Sequence, residues 1–391
     1  MSAEPFKIEV ADAAVEDFRA RLAHTRWPDA LDGVGWDYGV DDGYLRGLVE
    51  RWRAFDWRGR AAELNRLPHY RAPVDGETIH FIRVPGKGPR PVPLMLTHGW
   101  PSSFIEYVGL IGPLSDPAAH GGDPADAFDV IVPSLPGYGY SSRPTRPGMN
   151  PRRIADLWVK LMAGLGYPRF GSHGCDWGSY VTAVIGLDHP DRAIGVHMGS
   201  VSLGVQKPRK ERPDAGGADV GKARRAWRQR ESAYAAIQGS KPQTLAYGLT
   251  DSPIGLAAWI GEKWNAWTDR DLPREDVLGD ALLTNLSVYW DSGTINSSCR
   301  LYYENQREPV VLVEGQKVAA PSGFFIETPP GVRRRPDFKE GSGYLSGLRA
   351  TAEEAFNVQH WFEAPRGGHF PALETPDLLV DELRAFFRPL R

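Results

Sequence analysis

Residues 171–181 read GSHGCDWGSYV. Gly174 and Gly178 bracket a turn with the spacing G-x-S-x-G, in which a strand bends sharply into a helix and exposes the central side chain. The centre here is Asp176 rather than a serine. Two readings stand. Aspartate between glycines is a common turn residue, or its carboxylate is a nucleophile. The flanking sequence supports the elbow. RIADLWVKLMAGLG (153–166) is an amphipathic helix ending at Gly166, RFGSHGCD a short strand, and WGSYVTAVIGLDHP the helix after it.

Working outward, ETIHFIRVPG (77–86) alternates as a strand does. PVPLMLTHGWP (91–101) is a buried strand running into a loop. FDVIVPSLPGYGYSS (128–142) is a strand ending in a Gly/Pro turn, and AIGVHMGS (193–200) is strand again. Such alternation predicts an α/β protein with a mostly parallel, doubly wound sheet. Sites in these sheets gather at the carboxyl ends of strands, where His98, the Pro136-Gly137 turn and Asp176 fall.

The core so defined covers 76–202 and resumes over 306–391. Before it, 1–75 reads as a helical segment, with Val15, Phe18 and Leu22, then Tyr44, Leu45, Leu48 and Trp52, at helical spacing. Between its halves, 203–305 reads as an inserted helical lid: a charged, solvated stretch from about 203, then aromatic-rich helices over 231–305. In the second half, 309–323 and 358–364 have strand texture, 331–347 reads as a surface loop and 377–390 as an amphipathic helix.

Composition narrows the chemistry. A net charge of −3 over 391 residues makes no electrostatic case for nucleic acid or an anionic membrane. Two cysteines exclude a disulfide framework and fit a reducing, cytoplasmic compartment. No secretory signal is visible, and no stretch approaches the ~20 apolar residues of a membrane span. The sequence has neither H-E-x-x-H nor a Cys/His cluster for a metal, and no G-x-G-x-x-G loop for a nucleotide, so no cofactor is expected. The 13 Trp and 14 Tyr suit an aromatic-lined pocket.

Three further features bear on Asp176. RGGHFPALETPDLL (366–379) places His369 on a late loop, so acid nucleophile precedes histidine, the chain order of α/β-hydrolases. HGWP (98–101) follows a strand, and an N–H there joins the one after the nucleophile in an oxyanion hole, which selects Trp100 and Trp177. Tyr234 and Tyr302 are candidate acids, since a phenol is protonated at neutral pH and donates to a developing alkoxide.

The chain resembles the microsomal-type epoxide hydrolases, including their soluble fungal and bacterial relatives, over nearly its whole length. FKIEVADAAVEDFRARLAHTRWP is similar to that family's N-terminal segment. THGWPSSFIEY, VPSLPGYGYSS, GCDWGS, KPQTLAYGLTDSPIGLAAWIGEKWNAWT, GTINSSCRLYYEN and RGGHFPALETPDLL resemble family blocks in the right order. The resemblance implies an α/β-hydrolase fold, Asp176 as nucleophile, His369 as base, Tyr234 and Tyr302 holding the epoxide oxygen (Tyr303 as a substitute for Tyr302), and Trp100 and Trp177 at the oxyanion hole. The family's third member, an acid in an F-P-x-acid motif, is missing: counting from Pro321-Ser322-Gly323 lands on Pro330. Glu327 is the nearest acid at the strand end, with Asp337 and Glu340 as runners-up. The chain begins almost at the helical segment, without the anchor of microsomal members, which predicts a soluble protein.

Chemistry explains an aspartate at the elbow. Serine opening an epoxide would leave an ether that water does not cleave, whereas a carboxylate leaves an ester that can be hydrolysed. The expected reaction is epoxide to vicinal diol through an aspartyl ester, on a bulky or aromatic substrate. Some resembling bacterial relatives act in antibiotic biosynthesis. Expected partners are a small-molecule epoxide and a second copy of the chain in a homodimer. The alternatives are a haloalkane dehalogenase-like hydrolase, using the same ester, and a non-catalytic binding protein on this scaffold.

Overall fold

The computed structural model describes residues 2–206, 230–272, 279–327 and 343–391. Its strands are β1 (Glu4–Phe6), β2 (His69–Val74), β3 (Glu77–Val84), β4 (Val92–Thr97), β5 (Phe128–Pro133), β6 (Phe170–Gly174), β7 (Ala193–Met198), β8 (Val318–Glu327) and β9 (Phe356–Ala364). They form one sheet in the order β1-β2-β3-β5-β4-β6-β7-β8-β9. Pairings from β1 to β5 through β2 and β3 are antiparallel, and the rest are parallel. The central strands are continuous apolar runs because helices cover both faces. Leu94 of β4, for example, lies between Val130 of β5 and Gly171 of β6.

The crossover helix Pro151–Gly164 begins where the Asn150 side chain accepts the Arg153 N–H, with Pro151 in the first turn. Ile154, Leu157, Trp158 and Leu161 form its buried stripe. It packs on one face of the sheet beside the helix Trp177–Asp188. The helices Val108–Ser115 and Pro376–Phe387 cover the other face.

Between β7 and β8 the described chain is helical: Ala233–Ser240, Pro242–Asp251, Pro253–Trp267, Asp280–Ser292 and Ile295–Arg307. The helix Asp280–Ser292 is pinned to the loop after β4. Asn285 Nδ2 donates to Pro101 O (2.7 Å), Ser103 Oγ to Asn285 Oδ1 (2.8 Å), and the Tyr289 hydroxyl to Ser102 O (2.9 Å). The helix Asp42–Ala54 grips the same lid helix from the N-terminal side, through Trp52 Nε1 to Ser287 Oγ at 2.9 Å.

The strands differ from the sequence reading in three places. β1 and β2 lie inside the stretch read as helical. Pro73 and Arg71 hide the period of β2, but Asp75-Gly76, with φ of 50° and 89°, makes the hairpin turn that joins it to β3. The strand expected over 309–323 begins at Val318, and the run before it contributes one bridge, Leu312 to Val205. Residues 343–347, read as loop, open the helix Gly343–Ala355. The charged stretch 207–229 and most of the 331–347 loop, with Asp337 and Glu340, lie outside the described residues.

Candidate active site

Asp176 follows β6 with φ 52° and ψ −121°, a conformation that costs a non-glycine residue about 1–3 kcal/mol. The positions two residues away on either side are glycines because nothing larger fits. A Cβ on Gly178 would lie 1.8 Å from Thr97 O, and one on Gly174 2.3 Å from the backbone of Gly178. The strand end, the loop after β4 and the helix start are thereby pressed together, and the Asp176 carboxylate points away from them into a cavity of about 180 Å³.

The carboxylate is held asymmetrically. Oδ1 accepts the Trp100 N–H at 2.8 Å, and the Trp177 N–H also faces the carboxylate. Oδ2 lies 3.6 Å from Nε2 of His369. Burial pushes the Asp176 pKa up, while His369 and the two amides pull it down. Burial lowers the His369 pKa against the pull of Asp176, which favours a neutral imidazole, the form a general base needs.

The lid closes the cavity with two phenols. Tyr234 comes from the helix Ala233–Ser240 and Tyr302 from Ile295–Arg307, with their rings 5.7 Å apart. Trp100 stacks on Tyr234 (5.0 Å, 8°), and Trp177 meets Tyr302 edge-on (4.8 Å, 87°). The residues whose amides face the carboxylate thus also brace the phenols. Burial raises both phenol pKa values, with Asp176 adding to it, so both stay protonated. The Tyr302 and Tyr234 hydroxyls act on each other inside the cavity. Tyr303 faces elsewhere, under the Arg307 guanidinium at 3.9 Å.

Asp176, Trp177, Tyr234, Tyr302, Glu327 and His369 therefore line one cavity, with Trp100 touching it through Asp176 and Tyr234. Glu327 is the last residue of β8, paired in register with Ala364 of β9, five positions before His369. Among the described residues no hydrogen bond links its carboxylate to His369. Nor do the described residues gather three His, Cys, Asp or Glu side chains suited to a metal.

Several supporting residues escaped the sequence reading. Glu374 accepts the N–H groups of Asp269 (2.7 Å) and Phe370 (2.9 Å), and Asp269 accepts that of Gly367 (3.0 Å), so carboxylates fix the loop on both sides of His369. Trp267 accepts the His369 N–H at 2.9 Å and packs on its ring at 4.7 Å. Burial pushes Glu374 up to about 7. Glu106, fully buried behind Asp176, is pushed up to about 8 by burial, with Asp176 and Glu374 adding to it. Lys263, also buried, pairs with Glu231 (3.0 Å) and Glu262 (2.8 Å) and sits over the rings of Tyr234 (5.3 Å) and Trp267 (5.8 Å). A visible signal existed for Glu106, the only charged residue between His98 and Ser115.

The strand-to-helix elbow, the amides facing its carboxylate and the histidine after the last strand define an α/β-hydrolase site. Comparison with known proteins agrees. A family model described as alpha/beta hydrolase fold matches residues 92–200, and one described as epoxide hydrolase N terminus matches residues 3–107. The chain is 41% identical over 397 residues to a putative epoxide hydrolase of Stigmatella aurantiaca, covering 99% of this chain and 85% of that one. It is 34% identical over 415 residues to epoxide hydrolase 1 of Sus scrofa, covering 98% and 88%. The solved structure of the Aspergillus niger epoxide hydrolase superposes with a TM-score of 0.81 at 26% identity, covering 100% of this chain and 97% of that one. The chain belongs to the epoxide hydrolases, and it is a hydrolase. No described helix is long and apolar enough to cross a membrane.

Proposed function

We propose that the chain opens an epoxide by attack of Asp176 Oδ2, giving a β-hydroxyalkyl ester that water then cleaves to a vicinal diol. The observation that carries this reading is the pair of buried phenols, Tyr234 and Tyr302, on the cavity that also holds the Asp176 carboxylate. An epoxide oxygen bound there would accept from both hydroxyls. As the C–O bond breaks, Tyr302 and Tyr234 donate to the departing oxygen, and one phenol proton passes to the alkoxide.

The ester's carbonyl oxygen is Oδ1, which already accepts the Trp100 amide. Charge developing there on hydrolysis meets donors set in place beforehand. His369 takes one proton from the attacking water, collapse of the tetrahedral intermediate passes the other to the departing diol oxygen and restores the carboxylate, and the imidazolium proton returns to the phenolate. Glu327 is our assignment for the acid behind His369, supported by its place at the end of β8 and on the cavity wall.

At about 180 Å³ the cavity is smaller than the roughly 300–1,000 Å³ of drug-sized sites, and its walls are aromatic. Both points favour a flat aryl epoxide over a bulky one. A role in antibiotic metabolism rests on the resemblance alone. Cys175 and Cys299, buried and unpaired, support a cytoplasmic location. The unpartnered indole N–H of Trp177 favours a second reading, dehalogenation, in which it would bind halide.

Single turnover in ¹⁸O-water tests the ester. The label should enter Asp176 and be absent from the first diol formed, and label in that diol refutes the proposal. A panel of aryl and alkyl epoxides, with haloalkanes alongside and chiral analysis of the diols, tests the substrate class.

A further inference from the structure

A second groove lies beside the helix Ile295–Arg307, which places Arg300 in it and Tyr302 in the catalytic cavity. It encloses about 1,060 Å³ and shares no lining residue with the catalytic cavity. Through Arg300, Ser297, Pro144 and Thr145 it continues into a pocket of about 220 Å³ that also reaches Arg146.

The groove carries more arginine than carboxylate. Arg71, Arg143 and Arg300 line it, and none forms an ion pair with a described residue. Nearby Arg152 and Arg153 pair with Asp188 and Asp75. Each groove arginine is instead aimed by a backbone carbonyl. Arg71 Nε donates to Tyr140 O (3.1 Å), Arg143 Nη1 to Gly293 O (3.4 Å), and Arg300 Nη2 to Pro144 O (2.9 Å). Arg71 also lies over the Phe6 ring at 3.9 Å. A guanidinium carries five N–H donors, so each side chain is oriented while most of its donors remain uncommitted. Arg71 and Arg300 are half-buried, and burial lowers the Arg300 pKa against the pull of Glu304, with the charge of Arg143 adding a smaller push.

Nearby carboxylates form no ion pair with these arginines and hold other donors, though Glu304 still stabilises the Arg300 charge. Asp291 lines the groove but accepts the Tyr140 hydroxyl at 3.1 Å. Glu304, one turn from Arg300, accepts the Gly148 N–H at 3.0 Å, and Glu77 accepts the Ser142 hydroxyl. The hydroxyls of Thr78 and Thr145 add donors to the wall.

We propose that this groove binds a phosphate monoester, with the phosphoryl oxygens held by Arg71, Arg143 and Arg300 and the organic part lying along the groove, at a site separate from the catalytic cavity. Several guanidinium forks lining one groove with hydroxyls suit a tetrahedral, multiply charged oxyanion better than a planar carboxylate. The volume exceeds what a bare ion fills, which calls for an ester.

Titration of the whole protein with inorganic phosphate and with phenyl phosphate, by calorimetry and thermal shift, tests the site. Both should bind and phenyl phosphate the more tightly, with affinity falling as salt rises, whereas acetate and chloride at equal ionic strength should give no shift. Arg143→Gln, an exposed position outside the catalytic machinery, should weaken phosphate binding about tenfold and leave epoxide turnover unchanged, which also reports the fold. Arg143→Gln with Arg300→Met should abolish binding, while Asp176→Ala should retain it. Phosphate binding no tighter than chloride, binding unchanged in the double variant, or binding lost in Asp176→Ala would each overturn the proposal.

Discussion

Replacing Glu106 by glutamine should stabilise the protein at neutral and alkaline pH and not in acid. The carboxyl is fully buried, its Oε1 has no hydrogen-bond partner, and burial lifts it from 4.5 to about 8. Below pH 4.5 it is neutral in both the folded and the unfolded chain, and its titration has no effect on stability. Between about 4.5 and 8 the unfolded chain releases a proton that the folded chain retains, so stability falls as pH rises. Above about 8 both forms are ionised and the loss is complete. At ~1.4 kcal/mol per pH unit, the loss is on the order of 3 kcal/mol at pH 7 and 5 kcal/mol above pH 8. Glutamine keeps the shape and the acceptor that faces Ser102 and Gly99, but does not titrate. Any fixed penalty from its amide is the same at every pH. For a chain of 391 residues, 3 kcal/mol corresponds to about 4 °C in melting temperature. From pH 5 to 8.5 the loss grows by on the order of 4 kcal/mol, so melting curves over that range should show the gap between variant and wild type widening by about 5 °C. A gap that stays constant across this range would refute the reasoning, since it would mean that Glu106 titrates alike in both states.

Tyr302→Phe and Tyr234→Phe should each slow ester formation about 10- to 100-fold, and the double variant by at least 1,000-fold, read as the burst phase in rapid-quench experiments. Because burial depresses the His369 pKa, the acid limb of the ester-hydrolysis step should lie below the ordinary 6.5, and a limb at or above 6.5 would contradict the buried geometry. Lys263→Met leaves the Glu231 and Glu262 carboxylates without their shared cation, and should cost about 3 kcal/mol of stability at pH 8 and less at pH 5, where Glu262, its pKa raised by burial, begins to protonate. Thermal melts at the two pH values check this.

How far the molecule could be read before its structure varied with the kind of signal. The elbow, the HGWP loop and the late histidine were legible because each is a short motif whose geometry depends on a few contiguous residues. The parallel strands were legible as apolar runs. β2 was not, because its alternation is broken by Arg71 and Pro73 and its hydrogen bonds come from partners on either side. Glu374, Asp269 and Lys263 were missed for a related reason: their importance lies in what long-range folding places against them, and a lone Glu or Lys in a helix looks like a solvated one. The acid behind His369 stayed open in the sequence because its motif is absent, and β8 and β9 bring Glu327 to the cavity wall without a hydrogen bond to the imidazole.

On the mechanism proposed above, with Asp176 as nucleophile and the lid phenols as acids, the double use of Trp100 and Trp177 has a consequence for when the site is reactive. Their main chains belong to the core and their rings to the contact with the lid. A conformer in which the lid lifts would therefore keep an armed carboxylate but lose both proton donors together. Electrophiles that need no acid to react could still alkylate Asp176 in that open form, whereas an epoxide would have to wait for closure. On that mechanism the packing of two indole rings couples lid closure to the supply of acid, and leaves the open form exposed to reagents that need none.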